Sequence, residues 1–302
     1  MHWLRVKYLL VALISVSSFS QSKFNSFLTP SDTLNISRRN LVVISEASLA
    51  SISLIGLNEL WYSDYDRSKF HTVNDNDQWL QMDKMGHVFT SYQLGRVGSD
   101  VLNWSGVSKK DQLIYGATLG FGFLTAVEVL DGYSQEWGFS WGDIGANAAG
   151  TGLYIGQELL WKEQRIDFKY SFHQTKYAFQ SPNKLGESLL EESLKDYNGQ
   201  TYWLSVNLHS FFKESKIPKW FNLALGYGAT GMLGESEDTD SQLLINNNGM
   251  RQFYLSFDVS LRRIKTNSPL LRSVFSIFDM IKIPFPALEF SKKRSVFHLF
   301  YY

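Results

Sequence analysis

The sequence predicts an α+β fold in which a glycine-rich bundle of about four helices, embedded in a membrane or leaning on one, precedes an antiparallel β region. Four long stretches rich in apolar and small residues lie between residues 41 and 161. After residue 195 apolar residues instead recur at every second position, which is the period of a strand. Charged residues form 19% and aromatic residues 15% of the chain, whereas about 25% of an average soluble domain is charged.

The composition excludes several classes of protein. None of the 302 residues is a cysteine, so disulfide scaffolds, thiolate metal sites and thiol nucleophiles are excluded, while His/Asp/Glu sites stay open. The 29 basic residues match the 29 acidic ones, and a nucleic-acid partner would need a basic surplus. The mean hydropathy of −0.17 is low for a chain made only of membrane helices.

Residues 1–20 have the pattern of a secretory signal peptide. Arg5 and Lys7 form a basic start, Tyr8–Val16 is apolar, and a small-x-small site ends at Ser20. The alternative is a short N-terminal anchor, for which the apolar run is too short to span comfortably. Residues 21–40 then form a linker.

The next domain, residues 41–165, is predicted to be helical. Its expected helices are Leu41–Leu60, Gly86–Trp104, Gln112–Leu130 and Asp143–Trp161. The pairs Gly116/Gly120 and Gly152/Gly156 have the spacing that lets helix backbones approach closely in membranes. A soluble helical bundle is the alternative, because hydropathy alone does not separate membrane spans from core helices.

A connector, residues 166–200, leads to an antiparallel β region over residues 201–302. The expected strands are Thr201–His209, Phe221–Tyr227, Arg251–Arg263, Pro286–Phe290 and Val296–Tyr302. Pro284 and Pro286 favour an edge position for the fourth of these strands. These four to six strands are fewer than the roughly eight that close a membrane barrel. The acidic stretch 234–248 is predicted to be a loop between two strands.

Polar residues stand at the ends of the apolar helices. Asp83, Lys84 and His87 lie at the start of the second helix, and Asp83 and His87 share one of its faces. The other members are Glu128 and Asp131 at the end of the third helix, and Asp143 and Asn147 at the start of the fourth, where Ser140 is placed to cap. Antiparallel packing of these three helices would bring all of the polar residues to one level.

Such a cluster has three interpretations. Imidazole and carboxylates can bind a divalent cation without thiolate, although the sequence does not identify the metal. His87 can instead perform acid/base chemistry, with Asp83 orienting it and Glu128 and Asp143 binding a cation or the substrate. The third interpretation is a buried polar network that fixes the register of the helices.

The uncommon blocks in this region resemble the YfiM-like family of bacterial envelope proteins (DUF2279). The blocks are Asn74–His87, Glu128–Gly132, Trp137–Ser140 and Lys195–Trp203, and the resemblance covers roughly residues 40–265. It implies an envelope location and a periplasmic lipoprotein, although this chain lacks the cysteine that a lipid anchor requires. More distantly, the polar pattern that ends at Gly150 resembles VanZ-like membrane proteins.

Two functional hypotheses follow. The first is an exported protein of the bacterial cell envelope, associated with the outer membrane or the periplasmic face of a membrane, with a binding or structural role and a lipid or other envelope component as partner. The second is a hydrolase or transferase that acts on an envelope lipid or glycan carrier. The second hypothesis requires His87 to lie within about 10 Å of Glu128 or Asp143, the reach of direct or water-mediated contact.

Overall fold

The computed structural model describes residues 23–62, 65–234, 249–292 and 294–302. It is an α+β protein: the four longest described helices precede residue 162, and one antiparallel sheet follows residue 165. The predicted α+β class, with helices before an antiparallel sheet, is confirmed. The predicted signal peptide, residues 1–20, lies outside the described residues, as does all but the first residue of the predicted loop 234–248.

The predicted helices are present with shifted bounds. Ser140 accepts a hydrogen bond from the backbone N–H of Asp143 at 3.1 Å, so the predicted cap is confirmed. The third predicted helix is interrupted by the wider turn Gln112–Gly116. The described helices are α1 (23–28), α2 (Ile36–Leu57), α3 (Met82–Trp104), α4 (Lys109–Asp111), α5 (Leu119–Asp131), α6 (Trp141–Trp161), α7 (Lys176–Gln180), α8 (Pro182–Leu185), α9 (Leu189–Lys195), α10 (Leu208–Phe211) and α11 (Pro269–Phe278).

A left-handed turn sets the start of α3, four residues before the predicted start. Trp79, Leu80 and Gln81 have φ angles of 46°, 52° and 63°, which non-glycine residues rarely adopt. Contacts from the sheet hold this turn: Tyr227 donates its hydroxyl hydrogen to the carbonyl oxygen of Leu80, and Arg251 Nη2 donates to Gln81 Oε1 at 2.5 Å. The turn brings the polar start of α3 against the first strands of the sheet.

Helices α3, α5 and α6 pack closely through glycines. A Cβ atom at Gly120 would lie 2.4 Å from the carbonyl oxygen of Ser91, and one at Gly150 would lie 2.2 Å from that of Val88. The predicted close approach is confirmed for Gly116 and Gly120. It is wrong for Gly152 and Gly156, where an added Cβ meets nothing within 4 Å, because the face of α6 that meets α3 carries Gly150 instead.

Helix α2 stands apart from these three. Of its 22 residues only Val42 is buried, and Leu49, Ile52 and Ile55 are exposed. The part of the chain before the sheet is therefore not clearly a four-helix bundle, since the expected first helix buries almost nothing against the others. Two described segments, Ile36–Leu57 and Lys109–Asp131, are long and apolar enough to cross a membrane by length and composition.

The sheet has six antiparallel strands in sequential order. They are β3 (Ile166–Phe172), β4 (Gln200–Asn207), β5 (Phe221–Thr230), β6 (Met250–Val259), β7 (Phe285–Ser291) and β8 (Ser295–Tyr301), and a separate parallel pair is formed by β1 (Thr72–Val73) and β2 (Phe139–Ser140). The predicted edge position of the proline-containing strand is wrong, because β7 lies between β6 and β8. A register shift between Phe285 and Ala287 accommodates Pro286, whose carbonyl accepts from Ser256 Oγ at 2.9 Å.

The core lies between α3, α6 and the first two strands of the sheet. Phe89 of α3 packs against Phe168 of β3 and Tyr202 of β4, with ring centroids 6.3 and 5.9 Å apart. Arg96 of α3 is buried and donates to the carbonyl oxygen of Ser276 in α11 at 3.0 Å. The helices and the sheet thus share one core, and the start of α3 lies at its end.

Candidate functional site

The starts of α3 and α6 and the end of α5 meet at one level, and they bring four of the predicted site residues together. Nε2 of His87 lies 3.6 Å from Glu128 Oε1, 3.8 Å from Asp83 Oδ1 and 3.8 Å from Asp143 Oδ1. These separations are far inside the 10 Å limit set from the sequence. We call Asp83, His87, Glu128 and Asp143 the His87 cluster.

The imidazole of His87 is held by Asn147. Nδ1 of His87 and Oδ1 of Asn147 lie 3.0 Å apart, so a hydrogen on Nδ1 is donated to the amide oxygen. Nε2 then faces the three carboxylates. Asn147 is fully buried, and its Nδ2 atom has no hydrogen-bond partner among the residues that the structure describes. The ring nitrogen without a hydrogen bond therefore points at the carboxylates.

Lys84 bridges three carboxylates beside the cluster. Its Nζ atom lies 2.8 Å from Asp75 Oδ1, 2.9 Å from Asp143 Oδ1 and 3.2 Å from Asp83 Oδ2. The sequence did not single out Asp75, which lies in the polar run 74–77 before the second helix. Asp75 follows the short strand Thr72–Val73, which pairs with Phe139–Ser140. This pairing brings Asp75 to Ser140, whose Oγ donates to Asp75 Oδ1 at 2.6 Å.

The remaining carboxylates have partners of their own. Glu128 Oε2 accepts from the backbone N–H of Ser140 at 3.0 Å. Asp131 lies beside the cluster rather than in it, because its Oδ1 accepts the hydroxyl hydrogen of Tyr62 at 2.5 Å. Tyr197, from the predicted connector, donates to Asp83 Oδ1 at 2.9 Å, and no local pattern pointed to it.

Burial leaves several of these carboxyl groups with raised pKa values. Burial raises the pKa of Glu128 to about 8, although the positive charge of His87 opposes it. Burial and the negative charge of Asp83 raise the pKa of Asp143 to about 7. Burial also raises the pKa of Asp131 to about 6. The carboxyl groups around His87 are therefore short of compensating positive charge.

His87 and Asp83 shift in the opposite sense. Burial lowers the pKa of His87, but the charges of Asp83, Asp143 and Glu128 outweigh it, so its pKa is raised. Burial raises the pKa of Asp83, but the charges of His87 and Lys84 outweigh it, so its pKa is lowered. Asp83 and His87 thus favour the ionised pair.

A pocket of about 280 Å³ opens beside Asp83 and His87. It lies between the start of α3 and strands β3 and β4 and combines tyrosine hydroxyls with apolar walls. Its lining includes Asp83, His87, Phe89, Leu124, Leu194, Tyr170, Tyr197 and Tyr202. A ligand in this pocket would contact two members of the His87 cluster.

The donor set fits a hard or borderline divalent cation. Asp83, His87 and Asp143 each offer one ligand atom, and these atoms all lie within 4.8 Å of one another. Glu128 Oε1 lies on the same side of the imidazole. Nitrogen and carboxylate oxygen donors without sulfur suit Mn²⁺, Mg²⁺ or Zn²⁺.

Fold and site together define an α+β protein with a largely buried histidine–carboxylate cluster. The cluster lies where α3 and α6 begin and α5 ends, and these three helices pack through glycines. Residues 71–155 match the model of a family described as "Predicted periplasmic lipoprotein (DUF2279)", and this segment contains the whole His87 cluster. This chain is accordingly an exported, envelope-associated protein, as the sequence predicted. The description gives a location and no activity.

The other comparisons add no relative. No curated protein and no solved structure matches the chain. The more distant resemblance to VanZ-like membrane proteins finds no support.

Proposed function

We propose that the protein has a binding role in the cell envelope and that the His87 cluster holds one divalent cation. The observation that carries this proposal is the spacing around Nε2 of His87, where three carboxylate oxygens stand at 3.6 to 3.8 Å. These separations are too long for hydrogen bonds. Tetrahedral ligands at 2.0–2.2 Å from a metal are about 3.4 Å apart, so a modest contraction would complete a coordination shell.

Each ligand of this site has a second partner that fixes its orientation. Asn147 holds His87, Tyr197 holds Asp83, and the backbone of Ser140 holds Glu128. Lys84 holds Asp143. Partners of this kind orient the ligands of metal sites and raise metal affinity.

The charge balance supports the same proposal. Among the residues that the structure describes, the basic groups paired with Asp75 and the three carboxylates of the His87 cluster are Lys84 and His87, and these groups are largely buried. A divalent cation would supply the missing positive charge and would convert a repulsive group of carboxylates into ligands.

Titration of the purified full chain with Mn²⁺ and Zn²⁺ in a calorimeter tests this proposal. We expect one cation per chain, and we expect His87→Ala and Glu128→Gln to weaken binding at least tenfold. Asn147→Ala should weaken it by about 10- to 100-fold, as changes to partners of metal ligands do. The matched control is His298→Ala, which removes a histidine that contacts Glu289 at 2.8 Å on the sheet. Binding that is absent, or that survives His87→Ala, would contradict the proposal.

Membrane association is the second part of the proposal, and α2 supports it. The helix is 22 residues long, which is enough to cross a hydrocarbon layer, and its apolar side chains are exposed along its length. Exposed apolar surface of this length is unfavourable in water. We propose that α2 holds the exported protein at the outer membrane or at the periplasmic face of a membrane.

The pocket beside His87 favours one alternative, a hydrolase or transferase that acts on an envelope lipid or glycan carrier. His87 would act as acid or base, with Asn147 rather than Asp83 orienting its ring, because Asp83 approaches Nε2 and Asn147 contacts Nδ1. The apolar walls and tyrosine hydroxyls would suit an amphiphilic substrate.

Release of phosphate from a polyprenyl diphosphate, with Mn²⁺ present, tests this alternative. We expect turnover by the full chain that falls at least about 100-fold in His87→Ala, the lower range for loss of a general acid or base. His298→Ala should keep full turnover. If cation binding is normal but no phosphate is released, the binding role stands and this reaction is excluded.

A further inference from the structure

One face of the sheet is apolar and exposed. We call it the outer face and define it by Leu225, Phe253, Leu255, Phe257, Leu288, Phe290 and Phe297, which are 36–63% exposed. The register aligns them into rows: Leu225, Leu255, Leu288 and Phe297 are successive cross-strand partners from β5 to β8. The outer face is therefore one continuous apolar surface.

The opposite, inner face is buried and carries a polar network beside an aromatic cluster of Trp203, Tyr254 and Tyr301. Lys169 Nζ lies 2.9 Å from Asp258 Oδ2, and both side chains are fully buried. Ser205 Oγ donates to Asp258 at 2.6 Å, and Asn222 Nδ2 donates to Ser205 Oγ at 2.9 Å. A sheet in water normally turns its apolar face inward and its polar face outward. This sheet has the reverse arrangement.

The sheet curls around its polar face. The rings of Trp203 on β4 and Tyr301 on β8 have centroids 6.0 Å apart, and Tyr254 on β6 lies 4.4 Å from Tyr301. In a flat sheet β4 and β8 would be about 19 Å apart at 4.8 Å per strand. The inner face is thus concave, and the outer face is the convex surface.

The protein covers only part of the convex surface. Phe89 of α3 packs on Phe168 of β3 and Tyr202 of β4. Over β5 to β8 the side chains of the outer face stay exposed, and among the described helices the four-residue α10 contacts β5. What covers the outer face must come from outside this part of the chain.

We infer that lipid acyl chains cover the outer face, so that the convex side of strands β5 to β8 contacts the apolar layer of the membrane. This inference extends the proposed membrane association from α2 to the sheet, and it does not depend on the cation site. Polar inside and apolar outside is the alternation of strands whose outward face meets lipid.

The ends of the outer face also fit a lipid layer. Exposed basic residues, Arg251 and Lys292, stand at one end, and Trp220 stands at the other, where its carbonyl oxygen accepts from the backbone of Ser260 at 2.8 Å. Lysine, arginine and tryptophan are favoured at the boundary between hydrocarbon and headgroups. Strand β6 (Met250–Val259) spans about 30 Å at 3.3 Å per residue, before any tilt, which is close to the thickness of the hydrocarbon layer.

Spin labels on single cysteines test this inference, because the chain has no cysteine of its own. The full chain carries Leu225→Cys or Leu255→Cys on the outer face, and Glu187→Cys at an exposed polar position serves as control. In vesicles of phosphatidylethanolamine and phosphatidylglycerol, we expect a water-soluble nickel chelate to reach the two outer-face labels at less than about one-tenth of its access to the control, because it is excluded from hydrocarbon. Oxygen should reach them freely.

The possible results separate the two parts of the membrane proposal. Labels on the outer face that the nickel chelate reaches, on protein that stays with the vesicles at alkaline pH, would overturn the inference and leave association through α2. Labels shielded from both reagents would indicate a second protein and would also overturn it. Release of the chain from the vesicles at alkaline pH would contradict both parts. Phe290→Cys is the substitute position if one variant does not fold.

Discussion

Replacing Lys169 with methionine is expected to lower the free energy of unfolding by about 3–5 kcal/mol, the usual cost of removing one partner from a buried ion pair. Nζ of Lys169 contacts Asp258 at 2.9 Å and Asp279 at 3.2 Å, and none of the three side chains is more than 3% exposed. The change leaves two buried carboxylates without their nearest positive charge. Denaturant unfolding of the purified chain in detergent measures the effect.

The control for Lys169→Met is a lysine with an equally short contact but an exposed position. Lys109 Nζ lies 2.7 Å from Glu158 Oε2, and the Lys109 side chain is 54% exposed. We expect Lys109→Met to change the free energy of unfolding by less than about 1 kcal/mol, because water screens the exposed ammonium and the buried Glu158 keeps a hydrogen bond from Gln164 Nε2 at 2.9 Å. If the two variants lost the same free energy of unfolding, the conclusion that the inner face is closed to water would be contradicted.

Adding one methyl group at Gly150 is expected to destabilise the protein by about 1–3 kcal/mol, the usual cost of overpacking a core. The new Cβ would lie 2.2 Å from the carbonyl oxygen of Val88 and 3.0 Å from the backbone nitrogen of Tyr92, so α3 and α6 would have to separate. Because His87 stands next to Val88, the separation should also weaken its contact with Asn147. Thermal unfolding and cation titration of Gly150→Ala measure the two effects.

Gly152→Ala is the matched control on the same helix. An added Cβ there meets nothing within 4 Å, so the higher helix propensity of alanine should stabilise the protein by about 0.5–1 kcal/mol. Opposite signs for the two substitutions would support packing through Gly150. A destabilised Gly152→Ala would mean that the apolar side of α6 carries a contact outside the described part of the chain.

The sequence predicted the His87 cluster because short-range rules were sufficient. Antiparallel neighbours place the start of α3, the end of α5 and the start of α6 at one level, and the i, i+4 spacing put Asp83 and His87 on one face. The roles of these residues remain a proposal. Tyr197 was missed because it reaches Asp83 through tertiary packing across 114 positions of the chain. Asp75 was missed because it lies in the run 74–77, whose residue types are equally typical of a solvated turn.

The prediction of four packed helices failed for a different physical reason. Apolar composition indicates that a surface avoids water, but it does not indicate what the surface contacts, and α2 buries only Val42 within the described protein. Strand β3 was missed although Ile166, Phe168 and Tyr170 alternate. Its other face carries Asp167 and Lys169, which are typical of a solvated connector, yet here they are buried in the concave side of the sheet.

The contact between Arg96 and Ser276 has a consequence for how the chain folds. The two residues are 180 positions apart, and the Lys169–Asp279 pair joins residues 110 positions apart. The core between α3 and the sheet is therefore completed only when the last quarter of the chain has emerged. Domains dominated by such distant pairings fold slowly, because loop-closure entropy is lost before the contacts form. For an exported chain, this unfinished intermediate exists on the far side of the membrane, where its apolar strands stay exposed until the last quarter of the chain arrives.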